Sequence, residues 1–291
     1  VRLFTQVEEV ISRLELKLQD VTTTPPQRLD LGNELERLGD YRSGVGVTRR
    51  GLPDIDWVEI PAGQFQYQGK QPLELPTFWM SRYPITNRQY HAFIDDGGYQ
   101  EPTLWRALLQ PRPKFSRWFQ GNRPRTNVCW FEAVAFTRWL NTCLGLPLGA
   151  IRLPTEAEWE KAAGGEESLI YPWGNDYRSG FANVDETYQK DGPWSLGQTT
   201  AVGLYPHGRS PYGVADLAGN VWEWCLNRDS SPGAVGIDSS LYPLRVSRGG
   251  CWKLGPDYAA NTRRFRSSPW RQGEERTFRL MATQLVPNRR R

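Results

Sequence analysis

Leu3, Phe4, Val7, Val10, Ile11, Leu14 and Leu18 recur at three- and four-residue steps, which predicts one amphipathic helix near the start of the chain. Two uses of its apolar stripe stay open: docking onto the rest of the chain, or self-association through a short coiled coil. The run TTTPPQ at 22–27 ends this helix, because consecutive prolines cannot continue it. A short second helix is expected around 31–38. Residues 54–69 alternate apolar and polar and predict a β-hairpin. Residues 80–98 read as a strand and then a helix, capped by Thr86 or Asn87 and stopped by Gly97 and Gly98. Residues 127–146 predict a further helix with Trp130, Val134, Phe136, Trp139 and Leu140 as its apolar positions. In LPTEAEWEKAAGG (153–165), Thr155 is the N-cap, Glu158 closes a capping box and Gly164 ends the helix. The remainder is loop-rich, with short strands expected near 220–225, 245–252 and 276–282. The pattern is α+β, with few helices, short strands and long ordered loops. Loops of that length point to bound ions or a functional surface.

Composition sharpens this. Thirteen Trp stand beside 28 Gly and 22 Pro in 291 residues, which implies irregular backbone pinned by large aromatic anchors. No apolar run reaches about 18 residues, so no membrane span is expected. No signal peptide is visible, so the expected location is cytoplasmic, and a chain beginning at Val1 leaves room for a further N-terminal module. The formal charge of +4 is uneven: residues 245–291 hold twelve Lys/Arg against three Asp/Glu, a net of +9, leaving −5 for the rest. Such a tail suits nucleic acid or an acidic ligand, or else its arginines brace loops from inside. Nucleic acid is not expected, because helix-turn-helix, zinc-finger and RNA-recognition signatures are all missing.

The catalytic vocabulary is thin. Cys129, Cys143, Cys225 and Cys251 form no C-x-x-C, which excludes a zinc ribbon. His91 and His207 are too few to build a His-based zinc or iron centre alone. GVGVTRRG at 44–51 lacks the Lys-Ser/Thr ending of a phosphate loop, and no G-x-S-x-G occurs. Glu156, Glu158 and Glu160 share a capped helix, so a solvated face or structural bracing is expected rather than acid–base work.

Several strings nevertheless stand in a specific order: WVEIPAGQF, YPITNRQY, NVCWFEAVAFTRWL, LPTEAEWEKAA, PWGN, GNVWEW, RGGCW and FRL. Together they resemble the formylglycine-generating enzyme family across roughly 54–286. The resemblance implies a large variant of the C-type lectin fold, here over residues 51–291, behind an N-terminal helical segment and linker at 1–50. Fold does not fix function, since the family includes oxidases, parts of larger enzymes and non-catalytic binding proteins. The branch that makes sulfur–carbon bonds in ergothioneine biosynthesis carries an extra iron-binding His module, and nothing like it is present.

The resemblance implies structural calcium at two places. One set is Asp216, Glu223 and the carbonyls of Gly219 and Val221; the other is Asn183, Asp191 and the carbonyls of Val184 and Pro193. Mixed carboxylate and carbonyl oxygens suit a hard cation. The competing reading of both is a network of Asx turns without metal.

The family's oxidase chemistry needs two cysteines that hold copper(I), a soft ion suited to thiolates. Those positions fall on Leu254 and Ala259, so copper is not expected and the chain is read as no enzyme. Cys225 and Cys251 follow WEW and RGG on strands expected to be neighbours. A displaced copper pair, a disulfide and two ordinary buried thiols all remain open.

The same segment suits binding. Arg248, Gly249, Gly250, Trp252, Pro256, Arg263, Arg266, Pro269, Phe278 and Arg279 read as scaffold, with Trp252 directed into the core. Between them Lys253, Leu254, Asp257, Tyr258, Asn261, Phe265, Ser267, Ser268, Trp270, Arg271 and Gln272 read as a ligand surface, because aromatic anchors alternate with adaptable hydrogen bonders. This arrangement resembles the variable proteins of diversity-generating retroelements, which implies a variable region at 248–280 and a protein or peptide ligand. The enzyme alternative is a copper-dependent oxidase built on Cys225 and Cys251. The third reading is a structural domain supporting a larger protein.

Overall fold

The computed structural model describes residues 2–231 and 243–286, with side chains from residue 9 onward. The first apolar stripe forms helix α1 (Arg2–Gln19), which docks: Leu14 and Leu18 bury against Leu35, Leu204 and Tyr205. Helix α2 (Pro25–Arg37) starts earlier than expected, at the double proline itself. Proline suits the first helical turn, where its missing N–H would be unpaired anyway. Arg28 then ties both helices to the body, donating to the carbonyls of Leu18 (2.7 Å), Leu204 (2.8 Å) and Asp20 (3.0 Å). Among the described residues, no helix is long and apolar enough to cross a membrane.

Residues 54–69 do not fold back on themselves. β1 (Trp57–Ile60) pairs antiparallel with β4 (Phe78–Ser81), while β2 (Gly63–Tyr67) pairs with β3 (Gln71–Leu75). Pro61, which has no N–H to donate, and Gly63 at φ +146° turn the chain out of the first sheet. That sheet has the order β1-β4-β10-β5, completed by β5 (Ile151–Arg152) and β10 (Met281–Ala282). A second sheet, β8-β7-β6-β9, holds β6 (Trp222–Arg228), β7 (Arg245–Arg248), β8 (Phe265–Ser267) and β9 (Arg276–Thr277). The expected strand at 276–282 is therefore two strands in two sheets. Phe278, Arg279 and Leu280 make the crossing, fully buried.

The helix caps follow the local code. Helix α3 (Asn87–Asp95) is capped by Thr86, whose Oγ1 accepts the Gln89 N–H at 3.2 Å. Helix α4 (Trp130–Leu144) starts after Cys129 and stops at Gly145, φ +66°. In helix α5 (Glu156–Gly164) the Thr155 N–H donates to Glu158 at 2.7 Å and the Glu158 N–H returns to Thr155 at 3.3 Å. Gly164 closes the helix and Gly165 makes the turn. The main core packs Trp130, Phe131, Phe136 and Trp139 of α4 against Tyr90, Phe93 and Phe278.

The three acids of α5 are buried, so bracing is their role. Arg248 donates to Glu156 (2.7 Å), to Glu160 and to the Asn261 carbonyl; Arg264 also binds Glu156, and Arg152 grips Glu158 with two 2.8 Å bonds. Four arginines of the basic tail, Arg245, Arg248, Arg276 and Arg279, are buried. Arg245 stacks 4.0 Å over Trp130 and Arg276 lies 4.9 Å over Trp224. Bracing from inside thus accounts for much of the uneven charge.

Arg248→Met leaves buried carboxylates short of a counter-charge and is expected to lower urea-unfolding stability by about 3–5 kcal/mol. Arg37→Ala, which removes an exposed pair with Glu34, is expected to change it by less than about 1 kcal/mol.

Candidate functional site

The C-terminal surface begins where β7 ends. Gly249 (φ +97°) and Gly250 (φ +77°) turn the chain, and side chains there would collide: a Cβ on Gly249 would lie 3.1 Å from the Leu217 carbonyl oxygen, and one on Gly250 2.8 Å from that of Tyr258. The Gly219 N–H donates to the Gly249 carbonyl at 2.6 Å and the Trp252 N–H to the Asn220 carbonyl at 3.0 Å. The segment that follows is therefore anchored to the GNVWEW turn before it reaches the surface.

Beyond this anchor the side chains divide. Lys253, Asp257, Trp270 and Arg271 are exposed; Leu254, Tyr258, Phe265, Ser268 and Gln272 are half-buried. Asn261 and Ser267, expected at the ligand surface, are buried instead. The Asn261 side chain donates to the Leu169 carbonyl (2.8 Å), its N–H to that of Ile170 (2.7 Å), and its carbonyl accepts from Arg248. Ser267 accepts from Arg276. Both are framework, because inward polar groups on this segment are claimed by buried arginines and backbone. Three scaffold assignments also change. Arg263 and Arg266 are exposed, and Trp252 is half-buried against Trp118, centroids 5.2 Å apart, rather than in the core.

The two positions that the resemblance gives to thiols carry apolar side chains. Ala259 is fully buried in a small cluster with Ala182, Val184 and Ala218. Leu254 is half-buried, and its carbonyl accepts the Asp185 N–H at 2.9 Å. Cys225 and Cys251 are both free and buried, in different surroundings. Cys225 packs with Trp159, Val246 and Met281, and burial pushes its thiol well above the usual range. Cys251 is pushed up to about 11, again by burial, near Lys253 and Glu275.

The calcium positions fare unequally. Burial pushes the Asp216 carboxyl up to about 6, while its Oδ2 accepts the Gly203 N–H at 2.6 Å. Glu223, however, is taken. Its Oε1 accepts from Arg279 Nη2 (2.6 Å), and its Oε2 from Arg279 Nε (2.6 Å) and Trp159 Nε1 (2.7 Å). Gly219 O accepts the Val221 N–H at 2.9 Å. A carboxylate already neutralised by a bidentate guanidinium does not fit a calcium ligand, so this set with Glu223 in it does not suit the ion. In the other set Asn183 and Val184 are buried, while Asp191 and Pro193 are exposed. Asn183 Nδ2 donates to the Gln198 carbonyl (2.9 Å), yet its Oδ1 is buried and unpartnered. That orphaned oxygen is what a hard cation would satisfy.

Sequence reasoning missed a second contributor. The coil at 111–119, PRPKFSRWF, runs beside the C-terminal segment: Trp118 meets Trp252, and Arg117 lies 3.6 Å from Glu274. It has no helical or strand period, but its three cations, three aromatics and lack of acids were a readable signal.

Native protein treated with a thiol reagent near neutral pH is expected to label Cys143 alone, and slowly, because the residue is exposed but its sulfur, partly desolvated and beside Asp96, is raised to about 11. Cys129, Cys225 and Cys251 should label only after denaturation, as peptide mass spectrometry would report.

The sulfatase-modifying factor enzyme 1-like domain family matches residues 48–284. The hercynine oxygenase of Mycolicibacterium smegmatis is 30% identical over 273 residues, covering 79% of this chain and 59% of the relative. The chain spans only 52–59% of the length of the three hercynine oxygenases it matches. Among solved structures, Treponema denticola variable protein 1 superposes with TM-score 0.54 at 23% identity, covering 78% of this chain and 95% of that one. PvdO from Pseudomonas aeruginosa gives 0.57 at 23% identity, covering 78% and 93%.

Proposed function

The chain belongs to the sulfatase-modifying factor enzyme 1-like family, with its C-type-lectin-like fold, and we propose that within this family it is a non-catalytic binding protein of the variable-protein kind. The observation that carries this is the division of the C-terminal segment. Buried Arg248, Pro256, Ala259, Asn261, Ser267 and Pro269 hold its course, and Lys253, Asp257, Trp270 and Arg271 project from it. A frame that keeps its shape through inward groups tolerates replacement of outward ones. Broad, mixed aromatic and charged exposure suits a protein or peptide ligand better than a small molecule, which needs concavity.

An oxidase reading draws on the family and on relatives named as enzymes. Against it stand Leu254 and Ala259 at the thiol positions, and the separate buried surroundings of Cys225 and Cys251. The relatives' activities belong to longer proteins.

Structural calcium stays in this reading at the Asn183 loop, with Val184, Asp191 and Pro193 as further oxygen donors. Calcium is expected to raise the thermal midpoint by a few degrees over chelator, an increment lost in Asn183→Ala. An equal increment in that variant would remove the ion from this loop.

Substitutions at Asp257 and Arg271 are expected to leave the thermal midpoint nearly unchanged, while Asn261→Ala and Ser267→Val lower it. Copper(I)-loaded protein with a cysteine peptide should consume no dioxygen above the buffer rate. The native locus should carry a near-copy of the codons for 248–280 that differs mainly at adenines. Peptide oxidation, or outward positions as intolerant as inward ones, would overturn the reading.

A further inference from the structure

The coil at 111–119 holds two phenylalanines in solvent on a fixed backbone. Phe115 is 83% exposed and Phe119 76%. Neither is loose. Buried Ser116 donates to Asn87 Oδ1 (2.8 Å) and accepts the Thr126 N–H (3.0 Å). Asn87 Nδ2 donates to the carbonyls of Trp118 and Gln120, both at 2.9 Å. Asn127 Nδ2 donates to the Phe115 carbonyl (2.8 Å), and Arg125 to that of Lys114. This clamp on its carbonyls fixes the backbone that carries both rings. Exposed large apolar groups held this firmly mark an interaction site.

The coil is continuous with the C-terminal surface. The Asn127 N–H donates to the Gly273 carbonyl (2.9 Å), Gln272 reaches the Arg112 carbonyl (3.2 Å), and Trp118 abuts Trp252. Its charge is one-sided. Arg112, Lys114 and Arg117 are exposed; among the described residues the first two meet no acid, and Arg117 has only the long, half-exposed contact with Glu274. Across the joint the surface also carries Asp257 and Glu274. That mixture favours a polypeptide, which can answer both signs, over a nucleic-acid backbone or an anionic bilayer, which answers only one.

We propose that the ligand surface extends over the clamped coil at 111–119, and that its ligand is an acidic polypeptide segment. Its carboxylates meet Arg112, Lys114 and Arg117, and its apolar side chains cover Phe115 and Phe119. This rests on the binding reading above and adds the partner's chemistry and a second contact region outside 248–280. Rigid aromatic anchors lose little freedom on binding, which is why such residues dominate interface energetics.

The test is selection of random peptides displayed on phage against the whole chain, followed by titration of a synthetic winner against three proteins. These are wild type, a coil double variant (Phe115→Ser with Phe119→Ser) and a rim double variant (Lys253→Ala with Trp270→Ala). The coil variant should keep the wild-type thermal midpoint, since both rings are exposed; the rim variant should lose a few degrees, because Trp270 packs edge-on against Phe131 and Lys253 pairs with Glu275 at 3.2 Å, and titration well below its midpoint reads binding alone. Winners are expected to be rich in Asp and Glu beside apolar residues. Affinity should fall at least about tenfold in each double variant, and also in Arg112→Glu with Lys114→Glu. Loss in the rim variant alone would overturn the coil's role and leave the binding reading intact. Winners indifferent to both variants, or no winners at all, would overturn both. Winners without acidic excess would overturn the charge assignment. Binding to phosphatidylserine vesicles or to a single-stranded oligonucleotide that is lost in the coil variant would overturn the polypeptide assignment.

Discussion

Arg248 joins the two halves of the architecture. Its guanidinium reaches Glu156 and Glu160, one turn apart on α5, and the Asn261 carbonyl beyond the surface turn. Every group in this clamp is buried. Buried charges are costly unless fully paired, and a paired set fixes geometry more than it adds stability. Here geometry is what the site requires. The C-terminal segment has little regular ladder of its own, so its path depends on side chains that reach inward and find charged or carbonyl partners. A second clamp, Glu223 with Arg279 and Trp159, does the same beneath the GNVWEW turn.

These clamps separate frame from display. In an oxidase of this family the same region must present two thiols to a metal. Here Ala259 fills one of those places within an apolar cluster, and the Leu254 backbone is spent on holding Asp185. The interior keeps its arginines, while neither of these two positions offers a thiol. What faces water is aromatic and charged, with Trp252 and Trp118 forming the joint between the C-terminal segment and the coil at 111–119.

Local features were legible in the sequence. Thr155 and Glu158, or Thr86 and Gln89, bond within one turn of each other, so their spacing alone encodes the cap. The order of motifs carried the fold. Partners distant in sequence were less legible. Residues 54–69 showed their strands but not that β1 pairs with β4, and 276–282 hid a sheet change at Arg279. Within the candidate site the exposed anchors Trp270 and Arg271 were readable from composition. Asn261 and Ser267 were misassigned because a small polar residue looks alike whether it faces water or a buried arginine. The coil at 111–119 escaped because clamped loops carry no period.

The second sheet also bears on length. β6 lies between β7 and β9, with Arg248 opposite Glu223 on one flank and Thr277 beside Glu223 on the other. The excursion from Gly249 to Glu275 thus departs and returns across a single central strand, and it is pinned on the way at Asn261 and where β8 pairs with β7. Its span is set by strand spacing and not by how many residues it contains. Closing a flexible loop of twice the length costs only about 0.6 kcal/mol more. Insertions at exposed points between these pins, such as beside Asp257, could therefore enlarge its reach without disturbing the sheet.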